Sequence, residues 1–345
     1  MVVTSLRGFL LIGFTFPSLL WLGCVSVHDR TEEVQLRRAQ MHMGTIVTLT
    51  AVAPTEAKAQ EALAAGFQEI HRLEELLSTW IPTSELSRVN AEAGHRPVRV
   101  SADTLILLKR SLEITRLTDG GFNVAIGPAV QAWNVTEAAR IPDRSELDRL
   151  RPTVDWSRIQ LDEAASTVYL AEPNMRLDVG GIGKGFAADR AVLVMQAAGA
   201  TGGVVALSGD IKAFGRLPDA EAFRVGIQHP RREHALLATI DLDNEAISTA
   251  GDYERFFLRD GVRYHHILDP QTLQPARGCQ SVSVIAKEGW VADGLDTGIF
   301  VLGPDRGMAL IERLPDVEGV IVDSKGQVHV SSGLKNRLRL ESVDK

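Results

Sequence analysis

The stretch Val291-Ala-Asp-Gly-Leu-Asp-Thr-Gly-Ile-Phe300 decides how the rest of the chain is read. Val291, Leu295 and Ile299 recur at i, i+4 and i+8, an apolar stripe that predicts a buried helix. Asp293 and Thr297 are also four residues apart, so their oxygens would lie one turn above the other, with Asp296 adjoining. A hard divalent cation prefers carboxylate, hydroxyl and carbonyl oxygens, and this stretch offers half of such a site. Taken alone, the same ten residues also fit a helix with a solvated polar face.

Working outward, the partner half is sought where backbone and charge converge. Thr167–Leu170 and Met175–Val179 have strand character and run into Asp178-Val-Gly-Gly-Ile-Gly-Lys-Gly185, after which Phe186–Ala198 reads as a helix. A strand, a glycine-rich turn and a helix N-terminus present backbone N–H groups and the positive end of the helix dipole, here beside Lys184. The glycine spacing matches neither a Walker A loop nor a dinucleotide-binding fingerprint.

The remaining elements alternate irregularly. Ile46–Val52 is a β-branched strand just after Met43-Gly44-Thr45. Thr55 opens a helix whose apolar positions Ala59, Leu63, Phe67, Ile70, Leu73 and Leu77 step by three and four. Pro82 stops it, and a loop is expected to continue to Asn90. A second helix over Asp103–Leu117 ends in Asp119-Gly-Gly-Phe-Asn123, and Gly127-Pro128 is expected to break the chain again. From Val204 short strands dominate, through Ile211–Phe214, Phe223–Ile227, Leu236–Ile240, Ala246–Thr249 and Val282–Ile285. Helix Asp305–Arg313 and strands Val317–Val322 and Val328–Val330 close the chain. In the strand ending at Asp269-Pro270, alternation sends His265 and His266 to opposite faces, so one of them at most reaches a site. Strands and helices without strict alternation imply an α+β fold, with mixed sheets and flanking helices in two lobes around a central ligand cleft.

Composition narrows the function classes. The 345 residues are 45% hydrophobic and 23% charged, enough for a full core. A net charge of -7 leaves no basic stripe to neutralise phosphates, which argues against a nucleic-acid partner. Arg7, an apolar run over Phe9–Leu22 and Gly23-Cys24 have the layout of an export signal. Leu22-Gly23-Cys24 resembles the end of a bacterial lipobox, although Trp21 stands where leucine is usual. Residues 1–24 are therefore expected to be a signal peptide. Lipid on Cys24 would anchor the chain to the bacterial inner membrane, facing the periplasm or the cell exterior. Val25–Gln40 reads as a polar tether and residues 41–340 as the folded domain. With Cys24 so assigned, Cys279 has no cysteine to pair with.

Several segments with small residues, glycines or oxygen donors just after strands suit a cleft for a long phosphorylated ligand. These are Met43-Gly44-Thr45, Ser78-Thr79-Trp80 with Ser84-Glu85-Leu86, Gly121-Phe122-Asn123 with Gly127-Pro128, and Asp178 through Gly185. Ser208-Gly209-Asp210-Ile211, Gly251-Asp252-Tyr253, His266-Ile267-Leu268-Asp269-Pro270 and Ala292 through Thr297 follow. In this order they resemble the motifs of the bacterial FAD:protein FMN transferases, the ApbE family. The resemblance implies a magnesium-dependent exported enzyme. Such an enzyme splits the pyrophosphate of FAD, transfers the FMN phosphoryl group to a threonine hydroxyl of an acceptor protein, and releases AMP.

On that resemblance Asp293 and Thr297 would coordinate Mg²⁺ by side chain, and Asp296 and Gly181 by backbone carbonyl. Met43, Trp80, Gly121, Phe122, Asn123, Asp178, Lys184, His266 and Ile267 would contact FAD. Trp80 stands where tyrosine is frequent, and Asn123 where aspartate is common, which removes a negative charge but not a hydrogen bond. His266 is the candidate for proton transfer or for orienting the phosphoryl acceptor, with Asp269 as its partner. Two alternatives use the same residues: an FAD pyrophosphatase that transfers to water, and a flavin-binding lipoprotein without chemistry.

Overall fold

The β-branched and apolar runs of the sequence assemble into one eight-stranded sheet, antiparallel throughout, in the computed structural model, which describes residues 33–341. Across the sheet the strands are Val34–His42, Thr45–Ala53, Gly202–Leu207, Asp210–Phe214, Ala246–Gly251, Cys279–Ala286, Val317–Asp323 and Val328–Val330. Its central strands are buried on both faces, so they read as continuous apolar runs rather than alternating ones. Along Cys279–Ala286, for example, Val282, Val284 and Ala286 join the main core while Ile285 joins a second one.

The main core lies under the helices Glu56–Leu77, Gly183–Ala197 and Gly289–Leu302, which pack on one another and on the sheet. The second core lies under a three-stranded sheet of Phe223–Gln228, Leu236–Leu242 and Arg339–Leu340. A third, smaller cluster joins Trp133 of the Gly127–Trp133 helix to Leu268 and Leu273, and the Trp133 indole donates to the Leu273 carbonyl at 2.7 Å. The α+β class with several sheets and flanking helices is as the sequence implied.

Four local expectations are corrected. The tether expected over Val25–Gln40 ends early, because Val34–His42 is the edge strand of the large sheet, paired from Val34↔Ala53 to His42↔Thr45. Its charged composition belongs to an edge facing solvent, where arginines such as Arg37 and Arg38 block further pairing. Met175–Val179 is extended but joins no sheet. The Asn90 side chain takes the place of a neighbouring strand, accepting from Leu177 N at 2.7 Å and donating to Leu177 O at 3.1 Å.

The loop expected through Asn90 is a helix, Glu85–Ala91, whose first turn is capped by the Ser84 hydroxyl accepting from Ser87 N at 3.0 Å. Gly127-Pro128 starts a helix rather than breaking one, since a proline in the first turn needs no N–H partner. The expected signal peptide, Cys24 and the first part of the tether lie outside the described residues.

Candidate active site

The site is organised by the close approach of two helices. Gly289–Leu302 begins at Glu288, whose side chain makes no capping hydrogen bond. The orphan N–H groups are satisfied from the neighbouring helix instead: the Asp189 carboxylate accepts from Gly289 N at 2.7 Å and Trp290 N at 3.0 Å. The two backbones touch at Gly185, where an added Cβ would lie 2.2 Å from the Gly289 carbonyl oxygen. That contact sets the register of the second helix, and Gly185 N donates to Asp293 Oδ2 at 2.8 Å. The glycine-rich turn and the acidic helix, more than a hundred residues apart in sequence, thus meet face to face.

Around this contact three buried carboxylates converge. Asp210, Asp293 and Asp296 are 3%, 3% and 2% exposed, and each offers an oxygen within 4.8 Å of the others. Lys184 forms an ion pair with Asp210. The Ser248 hydroxyl lies 2.6 Å from Asp296 Oδ2 and also against Asp210 Oδ1, yet has one proton and can donate to only one of them. Thr297 Oγ1 donates to Asp296 Oδ1 at 3.1 Å. A Cβ on Gly181 would stand 2.9 Å from Thr297 Oγ1 and 3.4 Å from the Phe122 ring, so the turn lies directly on the threonine.

Burial and like charge make this cluster unusual. Burial, then Asp210, pushes the Asp293 carboxyl up to about 8, against the pull of Lys184. Burial, with Asp293 and Asp210 beside it, holds Asp296 well above the ordinary carboxylate range. Burial alone would lower Lys184, but Asp210, Asp293 and Asp296 outweigh it and keep the ammonium charged. One ammonium facing three carboxylates leaves a deficit of positive charge, and oxygen-only donors match a hard divalent cation.

The other sequence candidates divide into groups. Asp178 secures the turn, its N donating to Val124 O and its Oδ1 accepting from Gly180 N, both at 2.8 Å. Gly121 packs against the acidic helix, since a Cβ there would come 2.8 Å from Gly298 O. Phe122 is buried, and its N–H donates to Thr118 Oγ1 at 3.0 Å. The Asn123 amide is already engaged with backbone, donating to Val154 O and accepting from Ala125 N, both at 2.8 Å. It braces its loop, so neither end of the amide is left free for a ligand by these contacts. Met43 sits at a hairpin tip, and Trp80 is 79% exposed.

His265 is the structural member of its pair. It is buried, its Nε2–H donates to Ala276 O at 2.7 Å, and its Nδ1 accepts from Ile267 N. His266 is half-buried, with Nδ1 3.3 Å from Arg255 O; burial, then Arg255 and His265, keeps its imidazole neutral. The expected pairing of His266 with Asp269 is not formed, because Asp269 Oδ1 accepts from Gln271 N at 2.8 Å and closes a turn. Ile267 is buried beside them.

Sequence reasoning missed Asp210, Ser248 and Asp189 as site residues. Asp210 stood in the Ser208-Gly209-Asp210 turn, and positive φ at Ser208 (59°) is what swings the chain back there. Its carboxylate could have been flagged as the first residue of a buried strand.

Residues 43–321 match the sequence model described as the ApbE family. The chain belongs to the ApbE family. A relative named FAD:protein FMN transferase, from Treponema pallidum, is 34% identical over 337 residues, covering 92% of either chain. Among solved structures, the ApbE protein of Thermotoga maritima superposes with a TM-score of 0.81 at 28% identity, covering 88% of this chain and 98% of that one. The flavin transferase ApbE of Vibrio cholerae gives 0.80 at 28% identity, over 88% and 99%. The ApbE fold thus extends over nearly the whole described chain, carboxylate cluster included.

Proposed function

We propose that this chain is an FAD:protein FMN transferase, moving the FMN phosphoryl group of FAD to a threonine hydroxyl of an acceptor protein with release of AMP. The observation that carries the reading is the meeting of the Gly181–Gly185 turn, Lys184 included, with Asp293 and Thr297. Phosphoryl transfer requires cationic stabilisation of the pyrophosphate, an aligned acceptor and a group that takes the hydroxyl proton.

The donor set fits magnesium: Asp293 and Thr297 would bind by side chain and Gly181, which lies against Thr297, by carbonyl, while Asp296, expected to use its backbone carbonyl, places its carboxylate in the cluster beside Asp210. When bound, the cation supplies charge neutralisation at the pyrophosphate oxygens. The remaining roles fall to this chain's own residues. The turn's N–H groups are held within the protein, Gly183 N by Val179 O and Gly185 N by Asp293, so its attraction for an anion rests on the Lys184 ammonium and the positive end of the helix Gly183–Ala197. The His266 Nδ1–H donated to Arg255 O leaves Nε2 with a free lone pair that can accept a hydrogen bond from the threonine hydroxyl and orient it. Burial and Arg255 weaken the imidazole as a base, so a bound anion would have to raise its affinity for the proton before it could take it.

Of the apolar candidates, Trp80 and Met43 offer the accessible aromatic and apolar surface that an isoalloxazine or adenine ring needs, while Phe122 and Ile267 lie buried behind the site's loops. The apolar run ending at Cys24 supports an exported, membrane-anchored enzyme, and loss of palmitate labelling in Cys24→Ala would check the anchor.

The test is mass spectrometry of threonine-bearing acceptor proteins incubated with the enzyme, FAD and Mg²⁺. The expected product carries one FMN, and chelator abolishes it. Release of FMN and AMP with every acceptor left unmodified would establish the pyrophosphatase reading instead. FAD that stays intact in the same mixture would leave only flavin binding.

A further inference from the structure

Away from the carboxylate cluster, the first hairpin meets the first long helix through a second set of ligating side chains. Met43 and Gly44 form its two-residue turn, both with positive φ (50° and 70°), and His42 flanks the turn opposite Thr45. Beneath the tip runs the helix Glu56–Leu77, which presents His71 and Glu74 three residues apart on one face. His42, His71 and Glu74 each bring a ligand atom within 4.8 Å of the others.

The hydrogen bonds around these residues prepare them for a cation. Glu74 is oriented by Met43 N, which donates to Oε1 at 2.7 Å and leaves Oε2 free. His42 stacks on Phe67 with ring centroids 6.0 Å apart, and its Nε2–H donates to Gln40 Oε1 at 3.1 Å. The Nδ1 lone pair of His42 therefore faces Glu74 Oε2 at 3.5 Å, two acceptors with a gap that a proton or a cation has to fill. A second imidazole, His71, stands on the open side, its ring centroid 5.8 Å from that of His42. Fixing a histidine through its far nitrogen is how metal-binding imidazoles are held.

We propose that His42, His71 and Glu74 bind one divalent transition-metal ion of the zinc class, with an open position left to water. Two imidazoles and one carboxylate are a known three-ligand zinc set, whereas magnesium takes oxygen ligands and stays with the carboxylate cluster. Ligands on a tetrahedral ion with bonds of about 2.1 Å sit roughly 3.4 Å apart. The exposed His71 side chain closes the remaining distance by a change of rotamer. The ion would clamp the Met43-Gly44 tip to the helix. On the proposed function, on which this consequence alone rests, the clamp stiffens a turn that faces FAD.

The test is equilibrium dialysis of the intact purified chain against Zn²⁺ with excess Mg²⁺ present, repeated with Co²⁺ to record its visible absorption bands. One zinc per chain is expected in the wild type. His71→Ala, at an exposed helix position that tolerates alanine, should weaken binding by at least about tenfold, since even outer partners of metal ligands contribute that much. Asp293→Ala should leave zinc binding unchanged. Zinc affinity unaltered by both His71→Ala and His42→Ala, zinc lost in Asp293→Ala, or no stoichiometric zinc at all would each overturn the proposal. The readout is binding, so the outcome is independent of whether flavin transfer is observed.

Discussion

Two charged regions of the molecule differ instructively. A surface groove of about 550 Å³ is lined by Lys212, Asp243, Glu245, Lys287, Asp316 and Arg337. The carboxylate cluster at Asp210, Asp293 and Asp296 is almost closed to solvent. In the groove opposite charges pair in water, as in Lys287 with Asp316 at 2.8 Å and Arg337 with Glu245. Such pairs contribute little because solvent already stabilises each member. In the cluster three carboxylates share one ammonium out of water, so the imbalance is costly unless something else supplies positive charge. A roomy groove of paired charges makes no demand for a ligand; buried carboxylates in excess of their cation do.

The sharpest way to break this contrast is activity. Asp293→Ala should lower flavin transfer by roughly a hundredfold or more, while Lys287→Ala in the groove should leave it within about twofold. Equal losses in steady-state assays of both variants would dissolve the distinction. Next in size is Gly185→Ala. Its Cβ would collide with the Gly289 carbonyl, forcing the helices apart at a cost of about 2–4 kcal/mol by denaturant unfolding. A variant as stable as the parent would mean that this contact does not set the register of the acidic helix.

The contrast also has a pH signature. In metal-free protein the folded Asp293 carboxyl stays protonated up to about 8, whereas in the unfolded chain it ionises near its ordinary 3.8. The unfolded state therefore loses its proton first as pH rises. The contribution to stability is full below pH 3.8 and is lost progressively as pH rises through about 8. Thermal midpoints followed over this range should fall with pH without Mg²⁺ and recover on adding it, most strongly at the alkaline end. A Mg²⁺ effect that is absent at high pH would count against the cluster as its site. The smallest expected effect is Asp189→Ala, which removes the borrowed cap of the acidic helix and should cost about 1–2 kcal/mol with folding otherwise intact. Chemical denaturation reads it directly.

Much of the fold was legible because its signals are short-range. The stripe of Val291, Leu295 and Ile299 lies within the helix Gly289–Leu302, and the run before Ala53 lies within the strand Thr45–Ala53. Where a segment's state depends on which other segment takes its backbone hydrogen bonds, the reading failed. Val34–His42 needed its neighbour to become a strand, and Met175–Val179 was denied one because Asn90 already occupied its backbone groups. The same division runs through the site. Asp293, Thr297, Gly181 and Lys184 were visible as two half-sites, while Asp210 and Ser248 were hidden in strands whose inward faces only sheet pairing selects.

By itself, then, the sequence determined the long helices, the glycine-rich turn and the identity of most oxygen donors, since periodicity and turn chemistry act between near neighbours. Only the tertiary structure decided that Gly185 brings Asp293 onto the turn, that Ser248 and Asp210 complete the cluster, and that His266 and Asp269 do not pair. The reason is that a site made of residues 181, 210, 248, 293 and 297 exists only after strand register and helix approach have been fixed together. Burial, which turns those ordinary side chains into an electrostatic demand for a cation, is a property of the packed whole.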